Sequence, residues 1–242
     1  MVTMSRSVVP EELDELPPDD PRAQRSRRDL RRIHHAMRST AIFRGALERL
    51  RLARKPQRVI ELGSGDGSLV LRLARSLTPA WSGVELCLLD REPVVSRETE
   101  EAFRELDWTT VVRRQDALEW AAEGGTQRYD LCLVSLFLHH FDEGTLRRLL
   151  AGIAQRCDAV IACEPERGRL AYFFSHFVGL LGANAITRGD AVKSVQAGFA
   201  GQEIASAWPS RAADWWLQEF AALPFSHCFV AARSGLRLPQ TP

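Results

Sequence analysis

Apolar and polar positions follow two regimes along this chain. Before Arg58 the apolar residues recur at helical spacing, first Leu30, Ile33 and Met37, then Ile42, Phe43, Leu47 and Leu50. This periodicity predicts one or two amphipathic helices. From Arg58 onward short β-rich runs take over, at 59–62, 84–89, 109–112, 129–134 and 159–163. Helix-like segments at 68–76, 93–106, 117–122 and 143–156 separate them, with Pro93 suited to a first helical position because it lacks an N–H. Strand and helix alternating at this spacing predicts a doubly wound α/β sheet with parallel strands. After 163 the alternation lapses. A helix over 167–181, a polar loop over 187–193 and a short helix near 201–205 are expected. Two strands at 215–220 and 226–232, joined around Pro224, then read as an antiparallel hairpin closing one edge.

Composition fits this picture and narrows it. The chain has 242 residues, 45% hydrophobic and 26% charged, with a net charge of +1. That is enough apolar mass for one large α/β domain with a helical cap, and it excludes collagen-like, wholly disordered and disulfide-scaffold proteins. Near-neutral charge argues against nucleic acid as the main partner over the whole surface. Charge is segregated at the start, however. An acidic, proline-broken arm (Glu11, Glu12, Asp14, Glu15, Asp19, Asp20) precedes a basic run (Arg22, Arg25, Arg27, Arg28, Arg31, Arg32). The arginines read either as a solvated helix face pairing with the acidic arm or as a phosphate or nucleic-acid contact. The five cysteines form no C-x-x-C, so zinc and thioredoxin chemistry are not indicated and buried reduced thiols are expected. The first twenty residues have no apolar signal region. The apolar stretch 170–186 is broken by His176 and Asn184, which suits a buried or ligand-covering helix rather than a membrane span. A cytoplasmic location is expected.

The strongest chemical signal is Glu61-Leu62-Gly63-Ser64-Gly65-Asp66-Gly67, at the end of the first strand and the start of a helix. Alternate glycines let the chain turn sharply and expose bare backbone to a ligand. The third glycine is one position too early for a dinucleotide fingerprint, and no G-x-x-x-x-G-K-[ST] is present. Glu61, two places before the first glycine, repels a pyrophosphate and suits a cationic ligand. Asp90 ends the second strand, where it could accept two ribose hydroxyls. Asp116 follows the third strand, where it could accept an adenine amine. Each alone also reads as a helix N-cap, but ligands of open α/β sheets bind at this strand edge.

These residues, with Tyr129-Asp130 leading to Ser135-Leu136-Phe137-Leu138-His139-His140-Phe141, resemble the class I S-adenosylmethionine-dependent methyltransferases over about 58–163. The resemblance implies a Rossmann-like, seven-stranded sheet, parallel apart from its C-terminal hairpin. It implies a flexible acidic arm (1–21), a helical cap (22–56), a methyltransferase domain (57–233) holding a pocket-capping insertion (167–206), and a flexible tail (234–242). S-adenosylmethionine is the implied cofactor and no metal is implied. Gly63, Ser64, Gly65 and Gly67 would hold the methionyl part, with Glu61 orienting the loop and the amino group. Asp90 would hold the ribose and Arg91 would cover the adenine. Asp116, Ala117 and Leu118 would surround the adenine ring, while Ser135 and Leu136 would line the sulfonium by backbone.

The segments 163–167 and 187–192 resemble a subgroup found with type III polyketide and phenolic-lipid pathways. O-methylation of a small phenolic or lipid-like acceptor is therefore expected. Methylation at carbon of a polyketide or quinone ring, RNA methylation through the arginine helix, and a non-catalytic binding module are the alternatives. No [DN]-P-P-[YFW] follows the fourth strand and no Pro-Cys pair occurs, which disfavours base, glutamine and cytosine-C5 methylation. A general base would be His139, facing the transferring methyl, with His140 as an anchor. His34 or His35 would take the role if the cap closes over the substrate. Glu164 and Arg167 could bind the acceptor or pair to cap the next helix. Phe173, Phe174, Phe177, Phe199, Trp208 and Trp215/Trp216 could wall an apolar pocket.

Overall fold

The computed structural model describes residues 4–17, 19–125, 127–209 and 214–237. The five sequence-predicted parallel runs form β1 (Arg58–Leu62), β2 (Val84–Asp90), β3 (Trp108–Arg114), β4 (Leu131–Ser135) and β5 (Ala159–Pro165). The hairpin strands are β6 (Trp215–Ala222) and β7 (Ser226–Arg233). Together they make one seven-stranded sheet in the order β3-β2-β1-β4-β5-β7-β6. Strands β1 to β5 pair in parallel, whereas β7 runs antiparallel between β5 and β6. The strand order reverses between β1 and β4. That reversal opens a crevice beyond their carboxyl ends, where open α/β sheets take ligands.

Each parallel strand returns through a helix: α4 (Ser68–Leu77), α5 (Arg97–Glu105), α6 (Ala117–Ala122) and α7 (Glu143–Arg156). One core on the α6–α7 face gathers Ile60, Leu62, Trp120, Leu149, Val160 and Phe229. The other, beneath α4 and α5, gathers Val59, Leu73, Leu86, Phe103, Leu133 and Val230. Alternate residues of β1, β2, β4, β5 and β7 feed the two cores, as a sheet covered on both faces requires, while the edge strand β3 adds only Trp108. The five cysteines are free and buried in these layers.

The N-terminal segment contributes α1 (Glu12–Glu15), α2 (Pro21–Ala36) and α3 (Ser39–Leu50). Helix α3 buries Phe43, Ala46 and Leu50 against the sheet, and α2 lies over the carboxyl edge with Arg31 paired to Asp66 at 3.0 Å. Between β5 and β6 come α8 (Arg169–Ser175), a 3-10 turn (Val178–Leu181), α9 (Ala185–Ala197) and α10 (Glu203–Ala207). No helix among the described residues is long and apolar enough to cross a membrane.

Three element expectations need correction. The segment 187–193 is helix α9, not a loop; Asn184 caps it by accepting from the Thr187 N–H at 2.8 Å. Thr187, Asp190 and Ser194 turn their polar atoms to other protein rather than water, so the usual amphipathic stripe is missing. The helix expected over 167–181 stops at Ser175, continues as a 3-10 turn and ends at Gly182, which has φ of 77°. The helix expected from Pro93 begins at Arg97, because Ser96 caps it and Val94 N–H instead donates to the Gly65 carbonyl at 3.2 Å.

Two helical glycines sit in opposite surroundings. A Cβ on Gly152 of α7 would lie 2.4 Å from Ala121 Cβ, whereas one on Gly45 of α3 would meet nothing within 4 Å. Gly152→Ala is expected to cost about 1–3 kcal/mol through overpacking. Gly45→Ala is expected to stabilise by roughly 0.5–1 kcal/mol through helix propensity. Chemical denaturation of the two variants, run side by side, checks the opposite signs.

Candidate active site

The crevice is built first from backbone. After Leu62 the chain turns through Gly63, Gly65 and Gly67, with φ of 69°, 52° and 70°, a region that favours glycine. Gly63 and Ser64 N–H donate to the Leu89 carbonyl at 2.9 and 3.2 Å, and Gly67 N–H to the Ser64 carbonyl at 2.9 Å. A Cβ on Gly63 would lie 2.5 Å from the Phe137 ring, so the β1 and β4 loops touch only because this residue is bare. A Cβ on Gly65 would meet nothing, which leaves that peptide open to the crevice.

Three side-chain oxygens beside this loop are buried without a hydrogen-bond partner: Glu61 Oε2, Ser64 Oγ and Ser135 Oγ. Burial, reinforced by the charges of Asp66 and Asp90, raises the Glu61 pKa well above its ordinary value. A buried carboxyl in this state is costly to ionise unless a cation joins it.

Asp90 accepts from Gly65 N–H at 2.8 Å and from Glu92 N–H at 2.9 Å, each on a different oxygen. It therefore ties the glycine loop to the end of β2, and each oxygen keeps a lone pair. Asp116 caps α6 through one oxygen, which accepts from Leu118 N–H at 2.6 Å and Glu119 N–H at 3.3 Å. The ends of β2 and β3 are joined by Gln115 N–H donating to the Asp90 carbonyl at 3.0 Å. Ala117 lies in the core, Leu118 is half-buried against it, and Arg91 is exposed at the end of β2. Leu136 follows β4 with φ of 50°, a strained value for a non-glycine residue, and its N–H donates to the Cys163 carbonyl at 3.0 Å. The structure thus brings Glu61, Gly63, Ser64, Gly65, Gly67, Asp90, Ser135 and Leu136 to one strand edge, with Asp116 one strand further out.

His139 and His140 are each paired with a carboxylate. His139 and His140 form a 3-10 turn (Leu138–His140) after β4. The Glu164 carboxylate, fully buried at the end of β5, accepts from Phe137, Leu138 and His139 N–H at 3.0–3.3 Å, and from His139 Nδ1 at 2.7 Å. Glu164 does not pair with Arg167; that guanidinium binds Glu203 at 2.8 Å, the Gly198 carbonyl at 2.8 Å and the Met4 carbonyl at 2.7 Å. His139 Nε2 faces Glu11 Oε1 at 3.3 Å, and His140 Nδ1 faces Asp14 Oδ2 at 3.0 Å. His34 is turned to Ser39 Oγ at 3.1 Å. Burial and the Arg72 charge lower its pKa to about 4, so it stays neutral at physiological pH.

Glu11, Asp14 and Arg6 are functional candidates that sequence reasoning missed. Read from the sequence as part of a flexible arm, their segment is laid along α9 and across the His139 turn. Asp190 of α9 accepts from Glu12 and Leu13 N–H at 2.9 and 3.0 Å. Lys193 donates to the Pro10 carbonyl at 3.0 Å, and Ser194 Oγ donates to Glu11. Arg6 reaches the Ala197 and Phe141 carbonyls at 2.8 and 2.9 Å. Glu11, His139 and His140 present ligand-type atoms within 4.8 Å of one another. The aromatic set also divides: Phe199 and Trp208 are core, while Phe173, Phe174 and Phe177 are exposed.

The plantazolicin methyltransferase BpumL in complex with SAH superposes with a TM-score of 0.64 at 12% identity, over 89% of this chain and 91% of that one. An O-methyltransferase family protein from Burkholderia thailandensis gives 0.60 at 16% identity, over 89% and 61%. The pyocyanin biosynthetic protein PhzM gives 0.56 at 20% identity, over 89% and 59%, so the chain spans about three fifths of the last two proteins. No protein-family model and no curated protein sequence matches. The fold is that of the class I methyltransferases.

His139 supplies a pH test of the site. Burial alone would lower its pKa, but hydrogen bonds and charge from Glu11 and Glu164 outweigh burial and raise it from 6.5 to about 9. A raised pKa in the folded state gives stability that is complete below pH 6.5 and lost as pH rises through about 9. His227, between Glu166 and Glu219, is raised to about 9 as well. The stability difference between wild type and His139→Gln isolates the first histidine, and denaturant titrations should show that difference shrinking from pH 6.5 to 9.

Proposed function

We propose that this protein transfers a methyl group from S-adenosylmethionine to a small hydrophobic acceptor, and that the reaction is O-methylation of a phenolic natural product or lipid. One observation carries the reading: the Glu61 carboxyl, buried beneath a bare glycine loop at the β1/β4 crevice, has an oxygen with no partner. The cofactor's ammonium group meets that demand, and the neighbouring unpartnered hydroxyls of Ser64 and Ser135 suit the polar methionyl end.

Bound here, S-adenosylmethionine supplies an electrophilic methyl group on a positively charged sulfur. Glu61 holds the ammonium, and the Gly63–Gly67 backbone allows close approach. Asp90 accepts the ribose hydroxyls on the lone pairs that Gly65 and Glu92 leave free. The Asp116 oxygen not used for capping takes the adenine amine, with Ala117, Leu118 and Arg91 around the ring. Ser135 and Leu136 line the methyl-bearing end by backbone, beside the His139 turn.

His139 is the general base in this scheme. Glu164 fixes Nδ1 and so assigns proton uptake to Nε2, the atom now facing Glu11. An acceptor hydroxyl takes the place of the Glu11 carboxylate. Losing that carboxylate also removes one of the two groups that keep the ring protonated, and the Nε2 proton leaves with Glu11 to water. The neutral imidazole then takes the acceptor's hydroxyl proton as the acceptor oxygen bonds the methyl carbon and the carbon–sulfur bond breaks. Positioning of nucleophile against methyl carbon does the rest. Similarity in fold to a plantazolicin methyltransferase and to a pyocyanin biosynthetic protein supports a small-molecule acceptor.

Asp90→Ala is expected to weaken SAH binding by about 1–3 kcal/mol in calorimetry, the loss of a charged hydrogen-bond partner. Unchanged affinity would remove Asp90 from the ribose. His139→Ala is expected to slow turnover of a phenolic acceptor by roughly a hundredfold or more while SAH affinity holds. Mass spectrometry with a labelled methyl group then reports whether oxygen or carbon carries it.

A further inference from the structure

Two features of the sequence remain outside this chemistry, the arginine run and the apolar stretch after 169, and the fold sets them side by side. Six large apolar residues within twelve positions are exposed: Leu170, Phe173, Phe174, Phe177, Leu180 and Leu181, with Leu180 at 84%. Their rings cluster, Phe173 lying 5.1 Å from Phe177 and 5.5 Å from Phe174 between centroids. Phe174 also stacks on Phe225 at 5.2 Å, which carries the patch onto the β6–β7 turn, where Leu223 is 87% exposed. The core does not use these side chains, and leaving so many in water forfeits burial energy, so the patch is an interaction surface.

The rim of the patch is basic. Helix α2 carries six arginines and one acidic residue, Asp29. Arg28, Arg31, Arg32, His35 and Leu181 line a cleft of about 490 Å³ between α2 and the end of the 3-10 turn. Arg32 comes against Gly182, whose Cβ position is 3.5 Å from the guanidinium. Exposed Arg188 of α9 packs beneath Gly179 on the same turn. Asn184 fastens the two parts together, donating to Ser26 Oγ at 2.9 Å and, through its N–H, to Asp29 at 2.8 Å.

We propose that this face docks on an anionic lipid bilayer, with the Phe and Leu side chains entering the acyl boundary and the α2 arginines resting among lipid phosphates. An apolar face flanked by arginines is the combination that holds a protein in the membrane interface without spanning it. A second copy fits less well, because a two-fold contact across the patch would bring the arginine helix toward its own image. The surface stands whether or not the crevice transfers a methyl group.

Co-sedimentation of the full chain with vesicles tests the proposal. Binding is expected to phosphatidylcholine vesicles containing phosphatidylglycerol, to weaken with added salt, and to be much weaker to phosphatidylcholine alone. The double variant Phe173→Asp, Phe177→Asp should lower partitioning by roughly tenfold or more. Arg28→Gln should lower it by about fivefold on the anionic vesicles only. Unaltered melting and SAH affinity of both variants would show that the fold is intact. No binding to the anionic vesicles, or binding that the aspartates leave unchanged, overturns the proposal. So does self-association, or RNA binding, that the aspartates abolish while vesicle binding is absent.

Discussion

A carboxyl oxygen without a partner, buried where the strand order reverses, is the constraint on which this structure turns. Glu61 sits at the end of β1, beneath a loop whose glycines expose peptide rather than side chain. Its neighbours Asp66 and Asp90 add negative charge, so its protonation and its occupancy by a cation are linked. Had the crevice been built for a phosphate, the arrangement would be inverted, with N–H groups and cations and no buried acid. The glycine turn, the Asp90 bridge and the strained Leu136 all converge on the same edge.

A second carboxylate organises the other half of the site. Glu164 gathers three backbone N–H groups and one imidazole, and so determines where the His139 turn lies and which ring nitrogen faces outward. The N-terminal segment then lays Glu11 against that nitrogen and Asp14 against the next ring. Helix α9 holds the segment through Asp190, Lys193 and Ser194. The proposed base, the cover over it and the helix beneath the cover therefore form one hydrogen-bonded unit, and access for an acceptor depends on how firmly that unit is closed.

The alternation of strands and helices from Arg58 to Cys163 was legible because two-sided burial writes period-two and period-3.6 patterns directly into the chain. The glycine loop and its acids were legible because their chemistry lies within one short motif or at successive strand ends. Helix α9 was not, since Thr187, Asp190 and Ser194 spend their polar atoms on protein partners and erase the stripe that marks a surface helix. Nor was the pairing of Glu11 with His139, which spans 128 residues and has no local signature. Glu164 and Arg167 looked like a local pair from their spacing, yet each has a better partner elsewhere, the His139 turn and Glu203. The phenylalanines of 173–177 carry helical spacing that suits a core, and only the fold shows them turned to the surface.

The central claim is that Glu61 awaits a cation, and calorimetry in buffers of differing ionisation enthalpy tests it most directly. If the claim holds, SAH binding at about pH 6 releases a proton from wild type, and the observed heat varies with the buffer in proportion. Glu61→Gln should bind more weakly with no such release. Heat independent of the buffer for wild type, or the same proton release from both proteins, would contradict the account.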